Sequence, residues 1–174
     1  MKKFYRVLIT LFFLGITIIL ISVTLGKTLL EGQESTLKSF ILLHFGGYLF
    51  FLIMPVEALV PYYTGIGYNK FLILILALIT AILAQLLDYG IGRLTSHDII
   101  TKLIGKKKFE RGKKYIDNYG LWALFFFNLL PISSPILTLI AGMMRVNLKK
   151  VLYYSIPGLL IKYLVLIYFW HSVF

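Results

Sequence analysis

The stretch SFILLHFGGYLFFLIMPVEALVPYYTGIGY, residues 39–68, decides the fold class of this chain. It is apolar enough to enter a lipid bilayer, yet it contains Pro55 and Pro61. Proline removes a backbone donor and clashes with the preceding helical turn, so both prolines are predicted structural breaks. Non-helical backbone persists at membrane depth only where it is buried in protein or lines a wet cavity. We therefore predict a re-entrant hairpin, a broken helix that enters the membrane and returns on the same side.

Glu57 lies between these two prolines. An ionisable side chain inside a membrane segment is rare and usually faces the protein interior or water. The functional interpretation is a site that binds and releases protons and couples transport to them. The structural alternative is a carboxylate near the interface that ends a helix. The flanking prolines favour the functional interpretation.

The composition is that of an integral membrane protein. The chain is 59% hydrophobic with a mean hydropathy of +0.87, and a soluble domain of 174 residues could not hide that much apolar surface. Its net charge is +11, but the basic residues cluster at the ends of apolar runs. This arrangement favours membrane lipids with anionic headgroups as partners and argues against nucleic acid. A homo-oligomer is left open.

The sequence carries no recognisable enzyme site. It has no cysteine, which excludes disulfides and Cys-ligated metals. It also lacks HExxH and GxSxG motifs and any paired acidic cluster for a metal. We expect no catalysis, no metal and no cofactor.

The apolar runs predict an all-α integral membrane domain, 1–174, with about three spanning helices and two re-entrant hairpins. In chain order the segments are a first span (4–25), the first hairpin (39–68), a second span (70–93), a basic cytoplasmic segment (94–118), a second hairpin (119–146) and a last span (150–173). The first segment could also be a signal peptide, but its length and the lack of a small-residue cleavage site favour an uncleaved span.

The distribution of positive charge predicts the topology. Cytoplasmic loops are enriched in lysine and arginine. Re-entry of both broken segments puts every strongly basic segment on one side, whereas two full crossings would put some on the other. We therefore predict a multi-pass protein of the cell membrane with its N-terminus inside and its C-terminus outside. The two opposed hairpins, each followed by a span, also suggest an inverted repeat, a recurring plan of transporters.

The second hairpin carries candidate contacts for a lipid headgroup. Its predicted breaks are Pro131 and Pro135, and between and beside them lie Ser133, Ser134 and Asn128. Half-helix ends at such a break can hold an anion. The structural alternative is a simple kink whose serines bond back to the helix.

Three further charged residues lie within predicted spans. Asp88 and Arg93, near the inner end of the second span, form a candidate ion pair, and Arg93 alone would serve as an interfacial anchor. Lys162 lies about a dozen residues into the last span, too deep to reach the interface easily. It requires a partner, and Glu57 is the candidate.

This layout resembles the DedA family of membrane proteins, also described as VTT or SNARE-associated domain proteins. The resemblance covers about residues 39–168. It rests on the PVE sequence at 55–57, YGIGR at 89–93, FERGKKYIDNYG at 109–120, and Pro131 with AGMM at 141–144. It implies two opposed re-entrant hairpins and movement of polyprenyl phosphate or phospholipid between leaflets, in some members with proton coupling. Glu57 falls on the family's acidic hairpin position.

The chain departs from the family in the second hairpin. The family pattern there is Arg-Phe-x-Pro-x-x-Arg, and the aligned residues 128–134 read NLLPISS, so both arginines are absent. Arginine binds phosphate in a bidentate manner that asparagine and serine cannot reproduce. Lys162 is the hypothetical replacement for the lost cation. The leading hypothesis is a lipid transporter or scramblase, and the alternative is a membrane scaffold that keeps the fold without the transport site.

Overall fold

The computed structural model describes residues 35–49, 56–95, 97–130 and 134–173. Within these residues every regular element is a helix, which confirms the all-α class. The predicted first span, 4–25, lies outside the described residues, as do Pro55, Pro131 and Ser133.

The predicted first hairpin contains two short helices. Helix α1, Leu37–Tyr48, begins at a capping box in which the side chains of Thr36 and Ser39 bind each other's backbone amides. A single 3-10 turn, Val56–Ala58, runs directly into α2, Leu59–Gly65.

The prediction of a break at Pro61 is wrong. Pro61 lies in the first turn of α2, where backbone amides have no partner within the helix. Its missing donor therefore costs little, and the chain stays helical through it. The change of backbone form occurs before it, at the 3-10 turn.

Two long helices match the predicted second and last spans. Helix α3, Lys70–Leu94, begins where the Asn69 side chain accepts hydrogen bonds from two amides of the first turn. Helix α8, Leu148–Val173, contains Pro157 in its interior. Both helices are long and apolar enough to cross a bilayer. At 1.5 Å per residue α3 is about 37 Å long, more than the roughly 30 Å of a hydrocarbon core.

The predicted basic segment forms two helices. Helix α4 spans His97–Ile104 and α5 spans Lys106–Tyr119. Gly105 joins them with a φ of 83°, a left-handed conformation that glycine adopts without strain. The face of α5 that carries Phe109, Gly112 and Ile116 is buried, so its lysines point away from the core.

The predicted second hairpin also contains two short helices. Helix α6, Trp122–Leu129, ends just before Pro131, and α7, Ser134–Met143, begins just after it with Pro135 in its first turn. These helices are about 12 and 15 Å long, so neither could cross a bilayer alone.

Helix α3 is the centre of the packing and contacts α1, α2, α7 and α8. Its closest neighbour is α7: a Cβ on Gly92 would overlap the carbonyl of Leu139, and one on Gly142 would overlap that of Tyr89. On its other side, residues 71, 75, 79, 83 and 87 form an exposed apolar stripe at a spacing of four. Such a stripe is suited to lipid rather than water.

The buried core has two parts. The first joins α1 and α2 to the N-terminal part of α3 and the C-terminal part of α8, around Phe40 and Tyr63. The second joins the end of α3 to helices α4–α7 and the start of α8, around Phe109 and Ile140. Polar side chains lie buried within both halves of the bundle.

Candidate functional site

A buried ion pair joins the first hairpin to the last span. The Lys162 ammonium lies 3.2 Å from the Glu57 carboxylate, across 105 residues of sequence. The lysine side chain is 3% exposed and the glutamate side chain 19% exposed. The predicted partnership of Lys162 with Glu57 is therefore confirmed. The 3-10 turn places Glu57, and α8 places Lys162 near its middle.

Two tyrosines complete the surroundings of the ammonium. Lys162 Nζ donates to the Tyr48 hydroxyl at 3.1 Å. It also lies 5.2 Å from the centroid of the Tyr48 ring and 5.1 Å from that of Tyr163. Ring faces attract a cation, and the attraction grows where water is excluded. The cation is thus held by a carboxylate, a hydroxyl and two rings.

The network continues from the tyrosines to α3 through a histidine. The Tyr163 hydroxyl lies 3.2 Å from His44 Nε2. His44 Nδ1 lies 2.7 Å from the Thr80 hydroxyl, which donates to the Leu76 carbonyl at 2.7 Å.

These contacts determine the direction of each hydrogen bond. A hydroxyl has a single hydrogen, and that of Thr80 is directed to a carbonyl, so Thr80 accepts from His44 Nδ1–H. His44 is completely buried, which disfavours a charged imidazolium, so Nε2 carries a lone pair and accepts from the Tyr163 hydroxyl. His44 is therefore neutral and positions Tyr163 beside Lys162.

Local helical spacing explains how one side of α1 supplies this network. Phe40, His44 and Tyr48 recur every four residues, which puts them on one face of the helix, and all three are buried. The His44 ring stacks between those of Phe40 and Tyr48, with centroids 5.3 and 5.8 Å away. This aromatic face packs against α3 and α8 within the first core.

Asn128, a predicted headgroup contact, is bound within the protein. Its Oδ1 accepts from Gln85 Nε2 of α3 at 2.5 Å, and its Nδ2 donates to the Leu124 carbonyl at 2.8 Å. Its Cβ lies 3.0 Å from the Cβ position of Gly158, one helical turn from Lys162 on α8. The structure thus places Asn128 near the level of Lys162 without contact between them.

The other predicted headgroup contacts lie at the start of α7. Ser134 is the first residue of α7. Ser133 falls outside the described residues. Their role in binding remains a prediction.

The predicted ion pair between Asp88 and Arg93 is wrong. Arg93 donates to the Tyr89 hydroxyl at 2.9 Å, and neither carboxylate oxygen of Asp88 has a hydrogen-bond partner among the described residues. Five residues along an α-helix turn the side-chain direction by about 140°, so the two groups leave α3 on different faces. Asp88 points inward and is 1% exposed.

Four residues of the network were not recognised from the sequence: Tyr48, Tyr163, Thr80 and Gln85. Thr80 and Gln85 are the polar residues within the apolar run of α3 and could have been noticed there. Tyr48 lies one turn after His44, and Tyr163 adjoins Lys162. Tyrosines are common in membrane proteins as interfacial residues, so their type alone did not distinguish them.

The comparisons with known proteins give one family. A model of the VTT domain matches residues 37–172, which is most of the chain. The comparison with curated proteins found no match, and neither did the comparison with solved structures. The matched region begins at α1 and includes both span-length helices and every residue of the network described above. The chain is therefore a membrane protein that belongs to the VTT domain family, the family of the DedA proteins.

Proposed function

We propose that this chain is a DedA-type lipid transporter or scramblase. It moves a lipid with a phosphate-bearing headgroup, a polyprenyl phosphate or a phospholipid, between the leaflets of the cell membrane. The observation that carries this proposal is the ammonium of Lys162, buried near the middle of a span-length helix beside a carboxylate that can exchange for another anion. Ionisable groups at that depth usually belong to a transport pathway.

Competition for Lys162 supplies a mechanism. An ammonium binds phosphate as a point charge. In the structure the Lys162 ammonium is already paired with the Glu57 carboxylate, so a phosphate would have to displace that carboxylate. A proton on Glu57 would remove its negative charge and free Lys162 for the headgroup. Asn128, Ser133 and Ser134, at the break of the second hairpin, would then offer neutral donors. Release of the lipid would return the proton and restore the pair.

The helix directions support the proposed topology with two re-entrant hairpins. Gln85 contacts Asn128, which precedes α7, and Tyr89 contacts Val146, which follows it, so α3 and α7 run in the same direction. If α3 ends at the cytoplasmic surface, α7 returns to that surface too. Because α6 and α7 are too short to cross, they would enter and leave on the cytoplasmic side.

The start of α1 supports the same plan for the first hairpin. The Tyr68 hydroxyl, just before α3, donates to the Ser35 carbonyl, just before α1, at 2.7 Å. Both helices therefore begin near one surface. Helix α1 has 12 residues, about 18 Å, so it too would reach only partway into the bilayer. The hairpins would thus enter from opposite sides and meet near Lys162.

A leaflet-exchange assay in liposomes tests the proposal. Fluorescent phospholipid and polyprenyl phosphate would be followed with wild type, Glu57→Gln and Lys162→Met. We expect exchange with wild type and at least a tenfold loss with Lys162→Met, since the loss of one charged contact costs about 1.4 kcal/mol or more. Glu110→Gln and Lys149→Met change the same residue types at exposed positions and should exchange like wild type. Exchange by Lys162→Met at the wild-type rate would remove Lys162 from the mechanism.

The alternative is a membrane scaffold that keeps the fold without transport. The contacts of Lys162 favour this alternative, because its ammonium already has a carboxylate, a hydroxyl and two rings as partners within the protein. Such a pair could serve only to hold α8 against the first hairpin. Negligible and equal exchange by wild type and Glu57→Gln, in protein shown to be folded, would support the scaffold.

A further inference from the structure

A second buried polar site lies between the Lys162 network and the C-terminal end of α3, and several of its oxygen atoms have no hydrogen-bond partner. Among the described residues, four buried side-chain atoms lack hydrogen-bond partners: both carboxylate oxygens of Asp88, Gln85 Oε1 and Ser155 Oγ. Each of the three residues is at most 1% exposed. Buried polar atoms are nearly always bonded, so a group of unpaired oxygens indicates a missing electropositive partner.

The helix register places these residues within about one helical turn of each other. His44 contacts both Thr80 of α3 and Tyr163 of α8. Asn128 contacts both Gln85 and Gly158, five residues later on α3 and five earlier on α8. The two helices are therefore antiparallel. Three residues further, the same register brings Asp88 level with Ser155.

No described side chain supplies a counter-charge there. Helices α6 and α7 contain no ionisable residue. On α3 the nearest cation is Arg93, which bonds to the Tyr89 hydroxyl. On α8 the nearest cations are Lys149 and Lys150, which are exposed, while Lys162, about two turns from Ser155, is paired with Glu57. His44 of α1 lies near the level of Lys162 and is neutral. A bare buried carboxylate is strongly disfavoured, so the charge of Asp88 requires compensation.

We propose that Asp88, Gln85 and Ser155 form a binding site for a small monovalent cation, either Na⁺ or a proton. The available atoms are all oxygens, the ligands that hard cations prefer. One carboxylate with neutral oxygens balances a single positive charge. A proton would sit on Asp88 and bond to Gln85 Oε1 or Ser155 Oγ, whereas Na⁺ would contact all three residues.

The site differs in charge from the Glu57 site. Lys162 already balances Glu57, so that pair is neutral as it stands. The described residues leave the charge of Asp88 uncompensated, so we assign the cation to Asp88 rather than to Glu57. Gln85 also donates a hydrogen bond to Asn128 of the second hairpin. A cation bound to Gln85 would therefore affect the contact between α3 and that hairpin.

Cation-dependent stability of the full chain in uncharged detergent tests this inference without any transport measurement. The unfolding temperature would be recorded by tryptophan fluorescence in two series. One replaces choline chloride with NaCl at constant ionic strength and alkaline pH, and the other lowers the pH in choline chloride alone. A ligand that binds only the folded state raises the unfolding temperature.

We expect wild type to be stabilised by the bound cation and Asp88→Asn to lose that increment. A response to NaCl identifies Na⁺, and a response to acid alone identifies a proton. Asp117→Asn removes an exposed carboxylate from α5 and should respond like wild type. An Asp88→Asn response equal to that of wild type in both series, or no wild-type response in either, would overturn the proposal.

Ser155→Ala keeps the carboxylate and provides a second test if Asp88→Asn does not fold. For Na⁺ it should raise the half-stabilising concentration about tenfold, the effect of one lost oxygen contact. For a proton it should reduce the acid-induced increment. An unchanged response of Ser155→Ala, together with failure of Asp88→Asn to fold, would also count against the site. Because these measurements need no lipid exchange, their failure is separate from failure of the transport proposal.

Discussion

Lys162 is kept charged inside the bundle by contacts from three separate segments. Glu57 comes from the 3-10 turn, Tyr48 from α1 and the neighbouring Tyr163 from α8 itself. No one of these segments could satisfy the ammonium alone. The full set of contacts to Lys162 therefore forms only when the first hairpin is packed against α8.

Removal of either charge alone should destabilise the protein more than removal of both. Lys162→Met leaves Glu57 next to apolar surface, and because Glu57 is partly exposed we expect a cost of about 2 kcal/mol. The double variant Glu57→Gln/Lys162→Met should recover part of this loss. Unfolding in mixed detergent micelles would give the coupling free energy by a double-mutant cycle, expected at about 1–3 kcal/mol. Additive effects would show that the pair does not contribute as a unit.

The Thr80 hydroxyl should contribute more to stability than the hydroxyl of Thr64, a similarly buried threonine in α2. Thr80→Val keeps the shape but leaves His44 Nδ1–H without an acceptor, at a cost of about 1–3 kcal/mol. Thr64→Val is the matched control, since the Thr64 hydroxyl bonds only to carbonyls of its own helix, Val60 and Pro61. The same micelle assay compares them. Equal effects would mean that the histidine contact adds nothing to stability.

At the scale of elements, the tightest contact is between α3 and α7. The two glycines at this crossing each approach a backbone carbonyl of the other helix, which cannot move without moving the helix. Side chains at these positions would force the helices apart. The second hairpin is thus held to α3 by close backbone contact as well as by the Gln85–Asn128 hydrogen bond, whereas the first hairpin is held by side-chain hydrogen bonds.

Gly92→Ala should destabilise the protein and Gly90→Ala should not. A methyl group at residue 92 meets the Leu139 carbonyl, and overpacking of this kind costs about 1–3 kcal/mol. A methyl group at residue 90, on the same helix, meets nothing within 4 Å. Gly90→Ala should therefore increase the free energy of unfolding by at most about 1 kcal/mol, because alanine has the higher helix propensity. Thermal unfolding in micelles would separate them. Similar behaviour of the two variants would contradict the close crossing.

Composition predicted the long helices better than it predicted the site. The spans predicted at 70–93 and 150–173 agree within two residues with α3 and α8, because long apolar runs are a local property of the chain. Pro61 was misjudged because a proline's effect depends on its place in the helix. Asp88 and Arg93 were misjudged because proximity in sequence does not ensure a shared helix face.

The contact between Glu57 and Lys162 could be anticipated because each buried charge needs a partner and few were available. The other residues of the Lys162 network, Tyr48, Tyr163 and Thr80, could not be anticipated by the same reasoning. Tyrosine and threonine have other common roles in membrane helices, so their part in the network depends on tertiary packing. Only the fold brings His44 of α1 to Thr80 and Tyr163.

At the scale of the whole molecule, charge and apolar surface are separated. The exposed stripe of α3 is apolar along its length, while the exposed face of α5 is dense in lysine. Helix α8 exposes Tyr153 and Tyr168, one towards each end, and tyrosine is enriched at membrane interfaces. A membrane around α3 and α8 would leave α4 and α5 at one surface, where their positive charge meets anionic headgroups.

This arrangement predicts which surface residues share a side of the membrane. The chain has no cysteine, so single cysteines can be introduced into the otherwise unchanged protein. Lys38 lies near the start of α3, because the Tyr68 hydroxyl ties that end to Ser35. Lys149 lies near the other end, because Tyr89 bonds to Val146. Lys107, at the start of α5, follows the C-terminus of α3 and should share its side.

We expect Lys107→Cys and Lys149→Cys to react from the cytoplasmic side and Lys38→Cys from the outside. A membrane-impermeant maleimide should label Lys38→Cys in intact cells, and the other two only after permeabilisation. The three lysines are exposed, so all should react in detergent, which controls for folding and access. Labelling of Lys38→Cys and Lys107→Cys from one side would contradict a crossing by α3. Labelling of Lys107→Cys and Lys149→Cys from opposite sides would mean that residues 119–146 cross the membrane instead of re-entering. The predicted inverted repeat would then be wrong as well, because it requires a second re-entrant hairpin.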